Sequence, residues 1–158
     1  MSTLILLRHG QSEWNKQNLF TGWYDCDLTD LGIKEALQAG KLLLEAELVP
    51  DVTYSSLQKR AIKTAELVHQ SLNKKMSIHK NWRLNERHYG DLTGLNKSDA
   101  KIMFGEQKIQ EWRRSYATPP PPISPENRFN PNNNDAYLDL SKELIPLSEC
   151  LADVVDRL

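Results

Sequence analysis

Short apolar runs alternate with longer segments of helical periodicity over the first half of the sequence, and this alternation restricts the possible folds most strongly. Residues 3–7 are a short apolar run, which favours a strand buried on both faces. Residues 52–54 are a second strand candidate, and the even spacing of Ile78, Trp82 and Leu84 indicates a third. Strands that alternate with helices predict an α/β fold with a mainly parallel sheet.

The segments between the strand candidates carry apolar residues at helical spacing. Thr29 is a suitable N-cap for a first helix that runs toward Pro50. Ser55 or Ser56 can cap a second helix, whose apolar stripe continues to Leu72. Each predicted helix therefore has one face suited to packing on a sheet.

The pattern changes after Gly94. Residues 98–116 predict one or two short helices, residues 119–122 favour polyproline II, and residues 132–134 indicate a loop. Long excursions from a sheet often serve as lids or binding loops, so we expect a lid-like insertion at about residues 94–146.

The last predicted helix is capped by Ser148 and ends with the sequence. Its apolar stripe comprises Leu151, Val154, Val155 and Leu158, and no glycine, proline or polar exit follows it. We therefore expect a chain that is truncated at its C-terminus.

Length and composition exclude several classes of protein. A chain of 158 residues with 39% hydrophobic content suits a single domain, residues 1–158. Lys plus Arg number 20 against 21 Asp plus Glu, so no overall basic charge recruits nucleic acid or an acidic membrane. Cys26 and Cys150 lack metal-ligand spacing and form no disulfide framework, and no apolar run approaches a membrane span, which favours a cytoplasmic protein.

Arg8, His9 and Gly10 follow the first strand candidate, and ligands of open α/β sheets bind beyond the carboxyl ends of the strands. A neutral imidazole there can attack phosphorus, a guanidinium can balance phosphoryl charge, and glycine lets a ligand approach the backbone. The alternative is a histidine that only ends a strand by bonding to a carbonyl.

Several longer blocks extend this tripeptide. They are residues 6–15 (LLRHGQSEWN), 20–23 (FTGW), 84–90 (LNERHYG), 94–97 (GLNK) and 112–116 (WRRSY). In this order, they resemble the phosphoglycerate mutase branch of the histidine phosphatase superfamily.

The resemblance implies a role for each matched side chain. His9 would be phosphorylated by 2,3-bisphosphoglycerate, Arg8 and Arg60 would clamp the phosphoryl group, and Glu86 would act as general acid and base. Residues implied to bind phosphate or substrate are Ser12, Asn15, Thr21, Gly22, Tyr89, Lys97, Arg113 and Arg114.

Each role has a plainer alternative. Arg60 can be a surface arginine, Glu86 a surface carboxylate paired with Arg83 or Arg87, and the small polar residues an ordinary turn. We assign His69, His79 and His88 to surface or packing positions.

The resemblance also implies a three-layer α/β/α sandwich. The family carries a second histidine, in a His-Gly-Asn-Ser block after a later strand, and this block does not occur in the 158 residues. We therefore expect the C-terminal strands to be missing, and this chain alone to be unstable or partly folded.

The implied activity is that of an isomerase that interconverts 2- and 3-phosphoglycerate in glycolysis and gluconeogenesis. The resemblance also implies that the enzyme needs no metal and forms a dimer or tetramer. The insertion at residues 112–122 favours a mutase because it could shield a phosphohistidine from water. The alternatives are a histidine-dependent phosphatase of the same superfamily and a non-catalytic remnant.

Overall fold

Two compact units make up the part of the chain that the computed structural model describes, residues 2–158. The first contains the described residues up to Lys16 together with Asp25–Trp82, and the second contains Gln17–Tyr24 and Arg83–Leu158. The predicted single-domain organisation, with its insertion at residues 94–146, stays a prediction. Within the described range no helix has the length and apolar character needed to cross a bilayer.

The first unit is built around a parallel β-α-β arrangement. Strand β1 (Thr53–Ser55) and strand β2 (Ile78–Lys80) pair in parallel, with Thr53 opposite Ile78, and helix α3 (Lys59–Ser71) connects them. A parallel pair needs such a crossover because a tight turn can only join antiparallel strands. The α/β class and the parallel pairing predicted from the sequence are thereby confirmed.

Helix α2 (Asp30–Glu45) packs closely against α3 in the same unit. A Cβ added to Gly40 would lie 2.6 Å from Cβ of Ser71 and 2.8 Å from the Val68 carbonyl oxygen. The Ser71 hydroxyl also donates to the Leu37 carbonyl at 2.9 Å. Thr29 caps α2 as predicted, and its side chain accepts a hydrogen bond from the backbone N–H of Gly32.

The predicted strand at residues 3–7 is wrong. This segment has no regular secondary structure, and Leu4 and Leu6 are 81% and 85% exposed. An apolar run indicates a tendency to be buried, but a strand also needs a neighbour that satisfies its backbone N–H and C=O groups. The described residues provide no paired strand for this segment.

The third strand is shorter than its apolar pattern suggested. It ends at Lys80, and Trp82–Leu84 form a 3₁₀ turn instead of a continuation. The backbone N–H of Asn81 donates to the Ser55 carbonyl at 2.9 Å, and this hydrogen bond joins the two strands just before the 3₁₀ turn.

Two helix caps also differ from the prediction. Helix α3 begins after Gln58, and the Ser56 hydroxyl accepts from the Gln58 N–H at 3.2 Å without capping the helix itself. Helix α6 (Leu151–Arg157) begins after Cys150, whose N–H donates to Asp153 at 2.8 Å.

The second unit is helical and irregular. Helices α4 (Lys97–Phe104) and α5 (Glu106–Arg114) lie where one or two short helices were predicted, and α6 is the last helix of the unit. Residues 119–122 have no regular secondary structure, and Pro131–Asn133 form a 3₁₀ turn where a loop was predicted. The short helix α1 (Glu13–Lys16) belongs to the first unit.

The core of the second unit lies between α4, α5 and the segment at Phe20. Phe20, Leu92, Ala100, Ile109 and Trp112 form one buried cluster. Leu151 and Val155 of α6, and Leu158 directly after it, are exposed, as expected for an apolar stripe without a partner among the described residues.

Candidate active site

His9 lies in the first unit with both ring nitrogens engaged. Its Nδ1 lies 2.7 Å from the Gly10 carbonyl oxygen, and the Nε–H of Arg60 donates to its Nε2 at 3.3 Å. Because a carbonyl only accepts and a guanidinium only donates, the proton of the neutral ring is on Nδ1 and the lone pair is on Nε2. The bond to a carbonyl considered above as the alternative is present, although the described residues before it form no strand, and it fixes the tautomer that a nucleophile requires.

Arg60 is fully buried, so it is not a surface arginine. It occupies the first turn of α3, and its Nη2 donates to Gln58 Oε1 at 3.0 Å. The guanidinium therefore forms two hydrogen bonds, one from Nη2 to Gln58 and one from Nε to the His9 ring. Because these contacts fix the Arg60 side chain in one conformation, its positive charge is already beside Nε2 before a ligand binds.

Thr64 connects these groups, and the sequence analysis missed it. Its hydroxyl donates to the Arg60 carbonyl at 2.7 Å and accepts from the Gly10 N–H at 3.3 Å. A signal was present in the sequence, because Thr64 lies four residues after Arg60 and therefore on the same face of the helix.

Ser12 and Asn15 bond to each other at the start of α1. The Ser12 N–H donates to Asn15 Oδ1 at 3.3 Å, and the Asn15 N–H donates to the Ser12 hydroxyl at 3.2 Å. This reciprocal capping is a structural role, and phosphate binding by the two residues stays a prediction. Arg8 is exposed.

Three predicted substrate-binding residues surround the buried ring of Phe20 in the second unit. The Tyr89 ring centroid lies 5.3 Å from that of Phe20, and Lys97 Nζ and Arg113 Cζ each lie 5.9 Å from the Phe20 centroid. Two cations are thus held against one aromatic ring. Arg114, the neighbour of Arg113, is exposed.

Thr21 and Gly22 follow Phe20 directly. The Thr21 Oγ1 is buried and has no hydrogen-bond partner among residues 2–158. Gly22 has φ +53°, and an added Cβ would lie 3.1 Å from both the Arg87 carbonyl oxygen and the Tyr89 nitrogen. Glycine suits this close approach of the backbone, and binding of phosphate or substrate by Thr21 and Gly22 stays a prediction.

Glu86 is half-buried on the segment between Arg83 and Gly90 of the second unit. Its neighbour His88 is a packing residue, as expected: the ring is buried, and Nδ1 accepts from the Gly90 N–H at 2.9 Å. Burial, followed by the charge of Arg157, lowers the pKa of His88 to about 4, so the ring is neutral near pH 7. The segment that carries Glu86 is therefore well ordered by buried neighbours.

The described residues contain no group of three His, Cys, Asp or Glu side chains placed to hold a metal ion.

The predicted site residues divide between the two units. Arg8, His9, Ser12, Asn15 and Arg60 belong to the first, and Thr21, Gly22, Glu86, Tyr89, Lys97, Arg113 and Arg114 belong to the second.

Comparisons with known proteins identify relatives of the whole chain, whereas the roles of the individual site residues stay predictions. The chain is 51% identical over 156 residues to a 2,3-bisphosphoglycerate-dependent phosphoglycerate mutase of Streptomyces avermitilis, and 50% identical over 159 residues to one of Thermobifida fusca. These matches cover 98% and 100% of the chain but 62% and 64% of the relatives. The chain thus spans less than two thirds of the length of the curated relatives it matches.

The structure is similar to that of a mycobacterial glucosyl-3-phosphoglycerate phosphatase. The TM-score is 0.63 at 27% sequence identity, and the match covers 71% of this chain and 53% of that protein. The sequence model of the histidine phosphatase superfamily (branch 1) matches residues 4–130, a range that includes His9, Arg60 and Glu86. The chain therefore belongs to branch 1 of the histidine phosphatase superfamily.

Proposed function

We propose that the protein is a 2,3-bisphosphoglycerate-dependent phosphoglycerate mutase, which interconverts 2- and 3-phosphoglycerate through a phosphohistidine at His9. The names of the relatives at about 50% identity support this substrate. The observation that carries the proposal is the His9 ring, whose Nδ1 is fixed on the Gly10 carbonyl and whose Nε2 faces the Arg60 guanidinium. Phosphoryl transfer to nitrogen requires this tautomer, and as the donor binds the Arg60 N–H must move from Nε2 to the phosphoryl oxygens so that the lone pair is free to attack.

The transfer step follows from these contacts. The Nε2 lone pair of His9 forms the N–P bond while the P–O bond of the donor breaks and its electron pair goes to the leaving oxygen. The Nδ1–H bond to Gly10 stabilises the positive charge that develops on the ring, and Arg60 stabilises negative charge on the phosphoryl oxygens. Arg8 is proposed to share this second role.

Glu86 is proposed to move the proton. As an acid it donates to the oxygen that leaves, and as a base it removes the proton from the hydroxyl that accepts the phosphoryl group in the reverse step. Using one carboxyl in both directions is possible because the two half-reactions are chemically similar.

The priming donor fits the residues present. 2,3-bisphosphoglycerate supplies the phosphoryl group, and it is strongly anionic. Lys97 and Arg113 provide positive charge beside Phe20, and the buried Thr21 hydroxyl can donate to an oxygen anion. Tyr89, Gly22, Ser12, Asn15 and Arg114 are proposed to complete the binding of phosphate and carboxylate groups.

A phosphatase differs from a mutase only in the acceptor of the phosphoryl group. The mycobacterial structure named as a phosphatase makes this the second candidate. We favour the mutase because helix α5 and the residues that follow it resemble the mutase branch, and because the relatives at about 50% identity carry that name. The cytoplasmic location, the glycolytic role and assembly into dimers or tetramers are proposed on the same basis.

The first test is incubation of the purified chain with 2,3-bisphosphoglycerate, followed by mass spectrometry under non-acidic conditions. We expect an acid-labile phosphoryl group on His9. His9→Gln should abolish the label, and the matched change at the exposed His79, His79→Gln, should preserve it. Label on another residue, or label that survives in His9→Gln, would contradict the proposal.

The second test distinguishes the acceptors. The labelled chain is mixed with 3-phosphoglycerate or with buffer alone, and loss of label is followed with time. A mutase loses its label much faster with 3-phosphoglycerate, whereas equal rates would identify a phosphatase. The chain is also fused to the part of the Streptomyces avermitilis relative that it does not match. A chain that labels only in this fusion is non-catalytic by itself, whereas a chain that labels without it is competent.

A further inference from the structure

A buried ion pair lies behind the segment that carries Glu86. Arg157, at the end of α6, is 8% exposed, and Glu149 is 2% exposed. The Nε–H of Arg157 donates to Glu149 Oε1 at 2.5 Å, and its Nη2 donates to Glu149 Oε2 at 3.1 Å. This two-point geometry is the strongest that an arginine and a carboxylate can form.

The same guanidinium binds the main chain on the N-terminal side of Glu86. Its Nη1 donates to the Arg83 carbonyl, and its Nη2 lies 2.8 Å from the Asn85 carbonyl oxygen and 3.4 Å from that of Glu86 itself. In return, Arg83 Nη1 donates to the Arg157 carbonyl at 2.9 Å. Arg157 therefore holds the backbone up to and including Glu86.

The carboxylate binds the main chain on the C-terminal side of Glu86. Glu149 Oε2 accepts from the His88 N–H at 2.8 Å, and the Glu149 N–H donates to the His88 carbonyl at 3.0 Å. The backbone is thus anchored two residues after Glu86 as well as before it. Both anchors come from one ion pair.

Burying two charges is costly, and apolar residues of similar volume often stabilise a protein as well. Stability alone therefore does not account for this pair. A carboxyl that moves a proton must instead be held within a small distance of its reactive geometry. We propose that Arg157 and Glu149 are positioning residues for Glu86, an inference that rests on the function proposed above.

The test compares two phosphoryl donors in the full 158-residue chain. When 2,3-bisphosphoglycerate is the donor, the leaving group is a phosphoglycerate with an alkoxide oxygen. This oxygen needs a proton from Glu86 as the P–O bond breaks and the bond to His9 forms. The phenolate that leaves p-nitrophenyl phosphate is stable without a proton. Labelling of His9 by the second donor therefore reports binding and folding but not the position of the acid.

Two variants disturb the pair to different extents. Arg157→Lys keeps the charge but loses the planar fork, and the double change Arg157→Met with Glu149→Gln leaves no unpaired buried charge, so that at least one variant folds. Arg128→Met, at an exposed arginine of the same unit, is the matched control. Circular dichroism of each variant checks that its helices are retained.

We expect both variants to label from 2,3-bisphosphoglycerate about 10- to 100-fold more slowly, and from p-nitrophenyl phosphate within about twofold of the unmodified chain. Equal slowing with both donors, or no slowing with either, would overturn the positioning role while leaving the proposed function intact. If the 158-residue chain labels from neither donor, the same comparison is made in the fusion to the Streptomyces avermitilis relative described above. Failure of that fusion to label would refute the proposed function, and this inference would fall with it.

Discussion

Replacing the Thr64 hydroxyl with a methyl group, Thr64→Val, tests whether the support behind His9 matters for its reaction. Valine has nearly the shape of threonine but cannot accept a hydrogen bond. In the variant, the buried Gly10 N–H loses its acceptor, the Thr64 hydroxyl oxygen, which lies 3.3 Å from the Gly10 nitrogen. The same peptide segment carries the carbonyl that fixes the His9 ring, so the loss is transmitted to Nδ1.

The size of the effect follows from the geometry. An unsatisfied buried donor costs about 1–3 kcal/mol. The bond to Gly10 is longer than the ~2.9 Å typical of N–H···O, so we expect the lower part of that range, about 1 to 1.5 kcal/mol. If this cost falls on the aligned conformation of His9, labelling slows about 5- to 13-fold.

The assay is the initial rate of His9 labelling by 2,3-bisphosphoglycerate, with urea unfolding measured on the same samples. Thr64→Ser is the control, because it keeps both hydrogen bonds and loses one methyl group, at a cost of about 0.8 kcal/mol. The serine variant should lose stability but label at nearly the original rate. Equal labelling by the valine and serine variants would refute the reasoning.

Three further predictions concern stability and association. Burial lowers the pKa of His88 from 6.5 to about 4, so the free energy of unfolding should fall by up to about 3 kcal/mol as the pH drops through that window. His88→Gln should flatten this dependence in urea titrations at several pH values. Thr29→Ala removes the cap on the Gly32 N–H and should cost about 1 kcal/mol, measured by thermal melting. Leu4→Ser with Leu6→Ser should reduce binding of a hydrophobic dye and self-association in sedimentation, because both side chains are largely exposed.

Each of these has an outcome that would contradict it. An unfolding free energy that stays constant from pH 7 to pH 4 would show that His88 does not titrate with folding. A Thr29→Ala variant as stable as the original would mean that the cap is replaced by water. Unchanged dye binding in the double leucine variant would mean that the apolar surface that binds the dye does not include Leu4 and Leu6.

Local patterns predicted the helices well, whereas the roles of the site residues stay predictions. The apolar stripe of α3 was visible in the sequence, and it placed Arg60 in the first helical turn, where the structure has it. Its complete burial was not predictable, because Gln58 and His9 reach it only through the fold. Sequence spacing identifies a helix face but not the neighbours that cover it.

Non-local pairing was the main source of error. Residues 3–7 have the composition of a buried strand, yet strand formation depends on hydrogen bonds to a distant segment. Arg157 and Glu149 were missed for the same reason: each looks like an ordinary charged residue near a helix end. Only the backbone carbonyls around Glu86, which no sequence pattern displays, give Arg157 its role.

The two cations held against Phe20 also have a consequence for how the protein responds to its solvent. Lys97 Nζ and Arg113 Cζ lie no more than about 12 Å apart, which is close to the ~10 Å screening length at 0.1 M salt. They therefore repel each other most in dilute buffer, and a multivalent anion that lies between them removes that repulsion. Sulfate or phosphate should accordingly raise the melting temperature more than chloride of equal ionic strength does, and this difference should disappear in Lys97→Met.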